Sequence, residues 1–345
     1  MKPESPPRPG RAAGVVVITD GAAGNERQAL SLALALRVSP RVLRIALRAP
    51  WRWFGPSFVR GARLSILRWQ WQTLSSPWPA LAIGCGRHAA VITRALREAS
   101  GGATFAVQIL DPRVDPKYFD LVVAPRHDGL DGANVIQTMG SLNPVDDAWL
   151  ADAKGEFSTL EQLPQPRTAL LVGGRRRGLA MDDAWFEALL AQLERWRERD
   201  GGSMLITTSR RTPPEWRERL RGAFKNGTTC FWGGEADGVN PYPGYLAVAD
   251  RIVVTPDSVN MLSEACATGA PVFTSLPADA PAKLAAFHAE LVGQGWLHDI
   301  HADMARLHQP PPMREMAAVA SKVWHHIEAT RPDITVALEQ RATRT

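Results

Sequence analysis

Cysteine is scarce in this 345-residue chain: Cys85, Cys230 and Cys266 are its only three, far apart and never in a Cys-x-x-Cys pair. Neither a disulfide framework nor a cysteine-rich metal site is expected, and a reducing compartment fits. Long apolar runs are missing as well. The stretch around residues 30–36 stops at Arg37 and Pro40, well short of the roughly 18 residues a spanning helix needs. The opening MKPESPPRPGRAAG has proline and charge but lacks the apolar centre of a signal peptide, so residues 1–13 are expected to be a disordered tail. No Asp-x-Asp occurs and the histidines, apart from His325-His326, are scattered, which argues against a metal site. Tyr-x-x-x-Lys is absent too, since Tyr118, Tyr242 and Tyr245 all lack a lysine four residues on. A short-chain sugar epimerase would lack its catalytic pair. With 45% hydrophobic and 22% charged residues, fibrous and wholly disordered chains are excluded, and the length suggests two globular domains.

Negative charge is missing from one region. Between Ala29 and Arg97 there is no Asp or Glu against eleven arginines, while the residues beyond Arg97 are net acidic. Inside that stretch lie Trp51, Trp53, Phe54, Phe58, Trp69, Trp71 and Trp78. Arginine with exposed tryptophan and no acid suits an anionic membrane surface, and Arg44, Arg48, Trp51, Arg52, Trp53, Trp69 and Trp71 are the expected contacts. Single-stranded nucleic acid would use the same residue types by stacking and phosphate contact. A plainer alternative is core tryptophans beneath solvated arginines. The lipid surface is the preferred partner, and no nucleic acid is expected.

Apolar runs rich in β-branched residues alternate with helical periods, the pattern of a parallel sheet covered by helices. Strands are expected over 15–19, 80–83, 104–110, 119–124 and 134–137, with helices over 26–36 and 87–98. Residues 151–167 are polar and proline-bearing and read as a linker. A second series follows, with strands over 169–172, 204–207, 228–232, 252–255 and 271–274 and helices over 182–197, 213–223, 244–249 and 258–268. Residues 313–329 read as a closing amphipathic helix. The expected class is α/β: a Rossmann-like domain over 14–150, a second over 168–310, and a helix and tail over 311–345. Two doubly wound domains of this kind would face a cleft at the carboxyl ends of their strands.

The most informative stretch is 240–273, NPYPGYLAVADRIVVTPDSVNMLSEACATGAPVF. Asp257 is placed to cap the helix after the 252–255 strand, and Gly269 with Pro271 ends it. Val259, Leu262 and Cys266 then face the sheet, leaving Asp257, Asn260 and Glu264 on another side. That side is either a solvated face or a ligand face, with a diphosphate at the helix N-terminus and ribose hydroxyls at Glu264. Gly173-Gly174-Arg175-Arg176-Arg177 and Ser209-Arg210-Arg211 each follow an expected strand and so emerge at one sheet edge, where guanidinium groups pair with phosphate. The arginine triplet reads equally well as solvated surface.

In the first half, Asp20-Gly21-Ala22-Ala23-Gly24-Asn25 makes a glycine turn before a helix, and Arg87 and His88 follow the Gly84-Cys85-Gly86 turn. His127 beside Asp128 either deprotonates a hydroxyl or stabilises its loop. Gly84 to Ala89 also fits G-x-G-x-x-A, a weak dinucleotide fingerprint that keeps a nicotinamide enzyme as an alternative.

The 240–273 block, with LVGGRRR, LITTSRRTP and DGAAGNERQ, resembles the ELM family, named from a plant mitochondrial fission factor, over about residues 15–296. Bacterial members of that family are treated as glycosyltransferases of the GT-B fold. The block also resembles the nucleotide-sugar motif of lipid-acceptor GT-B enzymes. The resemblance implies a nucleotide-sugar donor contacted by Gly173, Gly174, Ser209, Arg210, Asp257, Ser258, Asn260 and Glu264, with Ser258 by the diphosphate and Glu264 holding the ribose. Gly21, Gly24, Asn25, Arg87 and His88 would lie on the acceptor side. Family members commonly carry their candidate base, a histidine, where this chain has Asn25, so the bases that remain are Asp20 and the His127–Asp128 pair. The expectation is a metal-independent glycosyltransferase without cofactor. It would use a nucleotide-diphosphate sugar and a lipid-linked or envelope saccharide acceptor, at the cytoplasmic face of the membrane. A non-catalytic membrane-associated adaptor of the same fold is the alternative.

Overall fold

A computed structural model describes residues 14–75, 77–224 and 228–342. The expected tail, 1–13, lies outside the described residues. The chain forms two compact units, one running to Asn143 and resuming at Glu315, the other Pro144–Arg314.

The first unit begins β1 (Val15–Thr19), α1 (Ala23–Ala35), β2 (Pro40–Arg44), α2 (Trp51–Phe54), α3 (Arg68–Leu74), β3 (Leu81–Cys85) and α4 (Arg87–Ala99). It continues with β4 (Phe105–Ile109), β5 (Leu121–Pro125) and β6 (Val135–Thr138). The strands pair in parallel in the order β2-β1-β3-β4-β5-β6. Alternation along a strand sends successive side chains to opposite faces, and β1 shows it: Val15 and Val17 join the core under α1, Val16 and Ile18 the core under α4. Residues 45–74 complete the second of these cores with Ile45, Leu47, Val59, Ala62, Ile66 and Leu74.

The second unit begins with α5 (Asp147–Glu156), β7 (Arg167–Val172), α6 (Asp183–Asp200), β8 (Ser203–Thr208), α7 (Pro214–Arg221) and β9 (Thr228–Trp232). It ends with α8 (Tyr242–Val248), β10 (Arg251–Val254), α9 (Val259–Cys266), β11 (Val272–Thr274), α10 (Ala282–Gly293) and β12 (Leu297–Asp299). Its parallel order, β12-β11-β10-β7-β8-β9, is the doubly wound dinucleotide-fold order. The helices follow their sequence signals. Asp182 accepts the Trp185 N–H to start α6, whose Phe186, Leu189, Leu190, Leu193 and Trp196 are buried at helical spacing.

Three expectations need correction. Residues 151–167 are not a linker: α5 and a following 3₁₀ turn occupy most of them, capped by Asp146 and seated through buried Ala153 and Leu160. The edge strands β2 and β12 were not expected, the first because its arginines mask the pattern, the second because it is three residues long. Finally, α11 (Met316–Thr330) and α12 (Pro332–Ala342) are no appendage, since Val319, Val323, Ile327, Ile334 and Leu338 are buried in the first unit's core beside α1. The fold class is as expected, α/β with two doubly wound Rossmann-like units.

Candidate functional site

In an open parallel sheet a ligand binds outside the carboxyl ends of the strands, where strand order reverses. In the second unit that point lies between β7 and β10, and Asp257 stands there with its side chain sealed from solvent. Its carboxylate accepts the Gly174 N–H at 3.0 Å, the Thr255 hydroxyl at 2.7 Å and the Arg211 guanidinium at 2.7 Å. Thr255 accepts the Gly173 N–H at 2.8 Å, and Arg176 donates to the Asp257 carbonyl at 3.0 Å. The two glycines are required by the protein itself: a Cβ on Gly173 would fall 2.2 Å from the Asp257 carboxylate, and one on Gly174 2.2 Å from the Arg211 carbonyl. The room expected for a ligand's close approach is filled by these groups.

Ser258, not Asp257, caps α9, accepting the Met261 N–H. Asp257 is drawn inward instead by donors from three other segments. Glu264 is buried as well, 4% exposed, and accepts the Tyr242 hydroxyl of α8, so neither carboxylate lies on an open helix face. Asn260 is half-buried on the first turn of α9. Ser209 donates its hydroxyl to the Gly173 carbonyl at 2.9 Å, tying the β7 and β8 loops together. Arg210 is exposed and meets no described residue, and the guanidinium that enters the site is that of Arg211. Arg175 turns aside to Asp183 and Glu215. Sequence reasoning placed Arg211 in the cluster but favoured Arg210, and missed Thr255 and Tyr242 altogether. The first of the two tyrosines in NPYPGY was the available signal for the last of these.

In the first unit the reversal lies between β1 and β3. Gly21 turns the chain at φ 80°, and Asp20 accepts the Ala22 N–H and the Asn25 side-chain amide, both at 3.1 Å. Gly24 lies inside the first turn of α1. Across the gap Gly86, at φ 84°, starts α4, and a Cβ there would fall 2.6 Å from the Asn25 amide. His88 in the next turn places Nδ1 3.9 Å from Asp20. Asp20, Asn25 and His88 are thus brought together around a backbone that only glycine permits. Arg87 turns away, donating to the Gly55 and Trp53 carbonyls at 3.1 and 2.7 Å. His127 and Asp128 stand in a 3₁₀ turn after β5, three strand spacings from β1, about 14 Å. Cys85 is buried, and burial with the nearby Asp20 charge pushes its thiol well above the usual range, so it is no nucleophile.

The arginine and tryptophan stretch divides. Trp51, Trp71 and Trp78 pack on the core, Trp51 also donating to the Arg60 carbonyl at 3.0 Å, and Arg44 pairs with Glu26. Trp51 and Trp71 are therefore structural, whereas Arg44 is paired but stays 67% exposed. Trp53, Phe54, Phe58, Leu64, Leu67 and Trp69 are exposed, Trp53 by 65%, among exposed Arg48, Arg52, Arg60, Arg63 and Arg68. Among the described residues no helix is long and apolar enough to cross a membrane, and no three metal-ligating side chains gather.

A family model described as mitochondrial fission ELM1 matches residues 23–327. The mitochondrial fission protein ELM1 of Arabidopsis thaliana is 29% identical over 289 residues, 75% of this chain. This chain covers 66% of the plant protein's length, just under two thirds. The uncharacterized protein RP120 of Rickettsia prowazekii is 26% identical over 300 residues, covering 76% of this chain and 82% of that protein. Among solved structures, UDP-GlcNAc 2-epimerase from Methanocaldococcus jannaschii superposes with a TM-score of 0.54 at 12% identity, over 90% of this chain and 98% of that one. Os79 from O. sativa, in complex with U2F and trichothecene, gives 0.50 at 12% identity, over 95% and 94%. These two share the fold. The family match is the more specific finding: the chain belongs to the mitochondrial fission ELM1 family.

Proposed function

We propose that this protein is a glycosyltransferase that moves a sugar from a nucleoside-diphosphate donor to a lipid-linked or envelope acceptor at the cytoplasmic face of a membrane. The observation that carries the reading is the Asp257-centred crossing at the β7–β10 reversal. There two loops with exposed guanidinium groups, Arg176 and Arg211, are locked beside the first turn of α9, a setting suited to a diphosphate. Glu264, held by Tyr242, is the α9 carboxylate we assign to the ribose hydroxyls. The epimerase neighbour acts, by its name, on a uridine-diphosphate sugar, which supports a donor of that class.

In the proposed reaction the acceptor hydroxyl oxygen attacks the anomeric carbon. The bond from that carbon to the diphosphate oxygen breaks, and the nucleoside diphosphate leaves with the electron pair, its charge met by Arg176 and Arg211. The hydroxyl proton passes to the base. We assign that role to Asp20 with His88, the one of the two expected base sites that lies at the strand-order reversal.

A thermal-shift screen of uridine, guanosine and cytidine diphosphates tests the donor half. A ligand at 100 times its dissociation constant stabilises by about 2.7 kcal/mol, and Glu264→Ala should weaken the best nucleotide by about 1.5–3 kcal/mol. Failure of every nucleoside diphosphate to stabilise the chain, with vesicle binding intact, would favour the adaptor reading.

A further inference from the structure

A pocket of about 880 Å³ opens in the first unit, within the size range of small-molecule sites. Its lining includes the apolar Trp53, Phe54, Pro56 and Phe58 and the cationic Arg87 and Arg113. The apolar residues belong to the insertion between β2 and β3, whose Trp53 and Phe54 are 65% and 62% exposed. Of the cationic residues, Arg87 uses Nε and one terminal nitrogen on the Gly55 and Trp53 carbonyls. Its other terminal nitrogen meets no described residue and retains two N–H donors. Arg113 sits in the loop after β4, where Leu110 and Arg113 both adopt left-handed backbone at φ 69° and 62°. Two non-glycine residues in that region mark stored strain, which persists where the surroundings enforce it. Here the Asp111 carboxylate enforces it, accepting the Arg113 N–H at 2.8 Å and standing 3.4 Å from its guanidinium. The lining holds two arginines and no acid, and with Asp111 set against Arg113 the pocket still keeps net positive character.

We propose that this pocket binds the phosphate end of a lipid monophosphate drawn from the membrane. Its first chain segment lies on Trp53, Phe54 and Phe58, and its phosphate lies between Arg87 and Arg113. Only the further step of naming that lipid the acceptor rests on the transferase reading. The apolar lining alone would take any chain and the arginines alone any anion, and their combination selects a molecule that is both.

Calorimetric titration of the full chain with dodecyl phosphate, below its micelle concentration, tests the proposal against dodecanol and inorganic phosphate. One saturable site is expected, at least tenfold tighter for dodecyl phosphate than for either control. Arg113→Gln and Phe54→Ser should each weaken it roughly tenfold, the scale of one charge-assisted contact. Equal binding of dodecanol, or unchanged affinity in both variants, overturns the assignment. Nucleoside-diphosphate thermal shifts on the same samples report folding and separate the two readings. Lipid phosphate bound without nucleotide supports the pocket and counts against the transferase, whereas nucleotide bound without lipid phosphate overturns the pocket alone.

Discussion

Asp257 illustrates how a residue's neighbours in sequence can mislead. Standing just before α9, it satisfies every local rule for a helix cap, and yet Ser258 takes that position while Asp257 receives donors from Gly174 and Arg211, 83 and 46 residues away. Capping is a short-range property and can be read from the chain. The hub depends on three strands converging and cannot. The same applies to Arg210 and Arg211, adjacent and chemically identical, of which only the second reaches the carboxylate. Replacing Asp257 with Ala leaves the buried Gly174 amide and Thr255 hydroxyl without their acceptor, while the half-exposed Arg211 turns to solvent, and should cost about 2–3 kcal/mol in urea unfolding. Asp257→Asn retains an acceptor oxygen and should cost less, and Arg210→Ala should change stability by no more than about 0.5 kcal/mol. A fully stable Asp257→Ala protein would remove the hub from the account.

Among the elements, those with strong periodicity were legible. β1, β3, β7 and β10 are buried runs between turn signals, and α6 carries its cap and its apolar stripe in plain order. β2 escaped notice because two of its five residues are exposed arginines, and its pairing is supplied by β1 rather than by its own propensity. α11 was recognised as amphipathic, but its partner was not, since nothing local says that its apolar face returns to the first unit across 171 residues of the second. Val323 and Ile327 are fully buried there, and the Glu315 carboxylate just before the helix accepts the Met139 N–H at 2.9 Å. Ile327→Ala should therefore cost about 2–5 kcal/mol. A chain ending at Arg314 should lose the cooperative unfolding of the first unit. A truncated chain whose first unit melts as in the whole protein would show that α11 and α12 are dispensable.

Across the whole molecule the separation of charge is the property most visible in the sequence, and the structure refines it. The acid-free stretch is part core and part surface, with Trp51 and Trp71 bound inward and Trp53, Phe54, Phe58 and Trp69 facing out. Each basic residue near an anionic bilayer contributes about 1 kcal/mol, an attraction that fades as salt shortens the screening length to about 3 Å near 1 M. Co-sedimentation should therefore show binding to anionic vesicles, weak binding to neutral ones and release in high salt. Trp53→Ser with Trp69→Ser should lower binding without loss of stability, whereas Trp51→Ser should destabilise the fold. Binding indifferent to lipid charge would return this face to an ordinary solvated role.

The two hydrogen bonds from Arg87 to the Gly55 and Trp53 carbonyls have a mechanical meaning. The turn that carries the outward-facing rings is tethered to the first residue of α4, and the second residue of that helix is His88, facing Asp20. The tether and the imidazole are thus carried by the same first turn of α4. On the transferase reading proposed above, Arg87→Ala is therefore expected to disturb the exposed turn and the proposed base together, a joint effect that no change confined to either one produces.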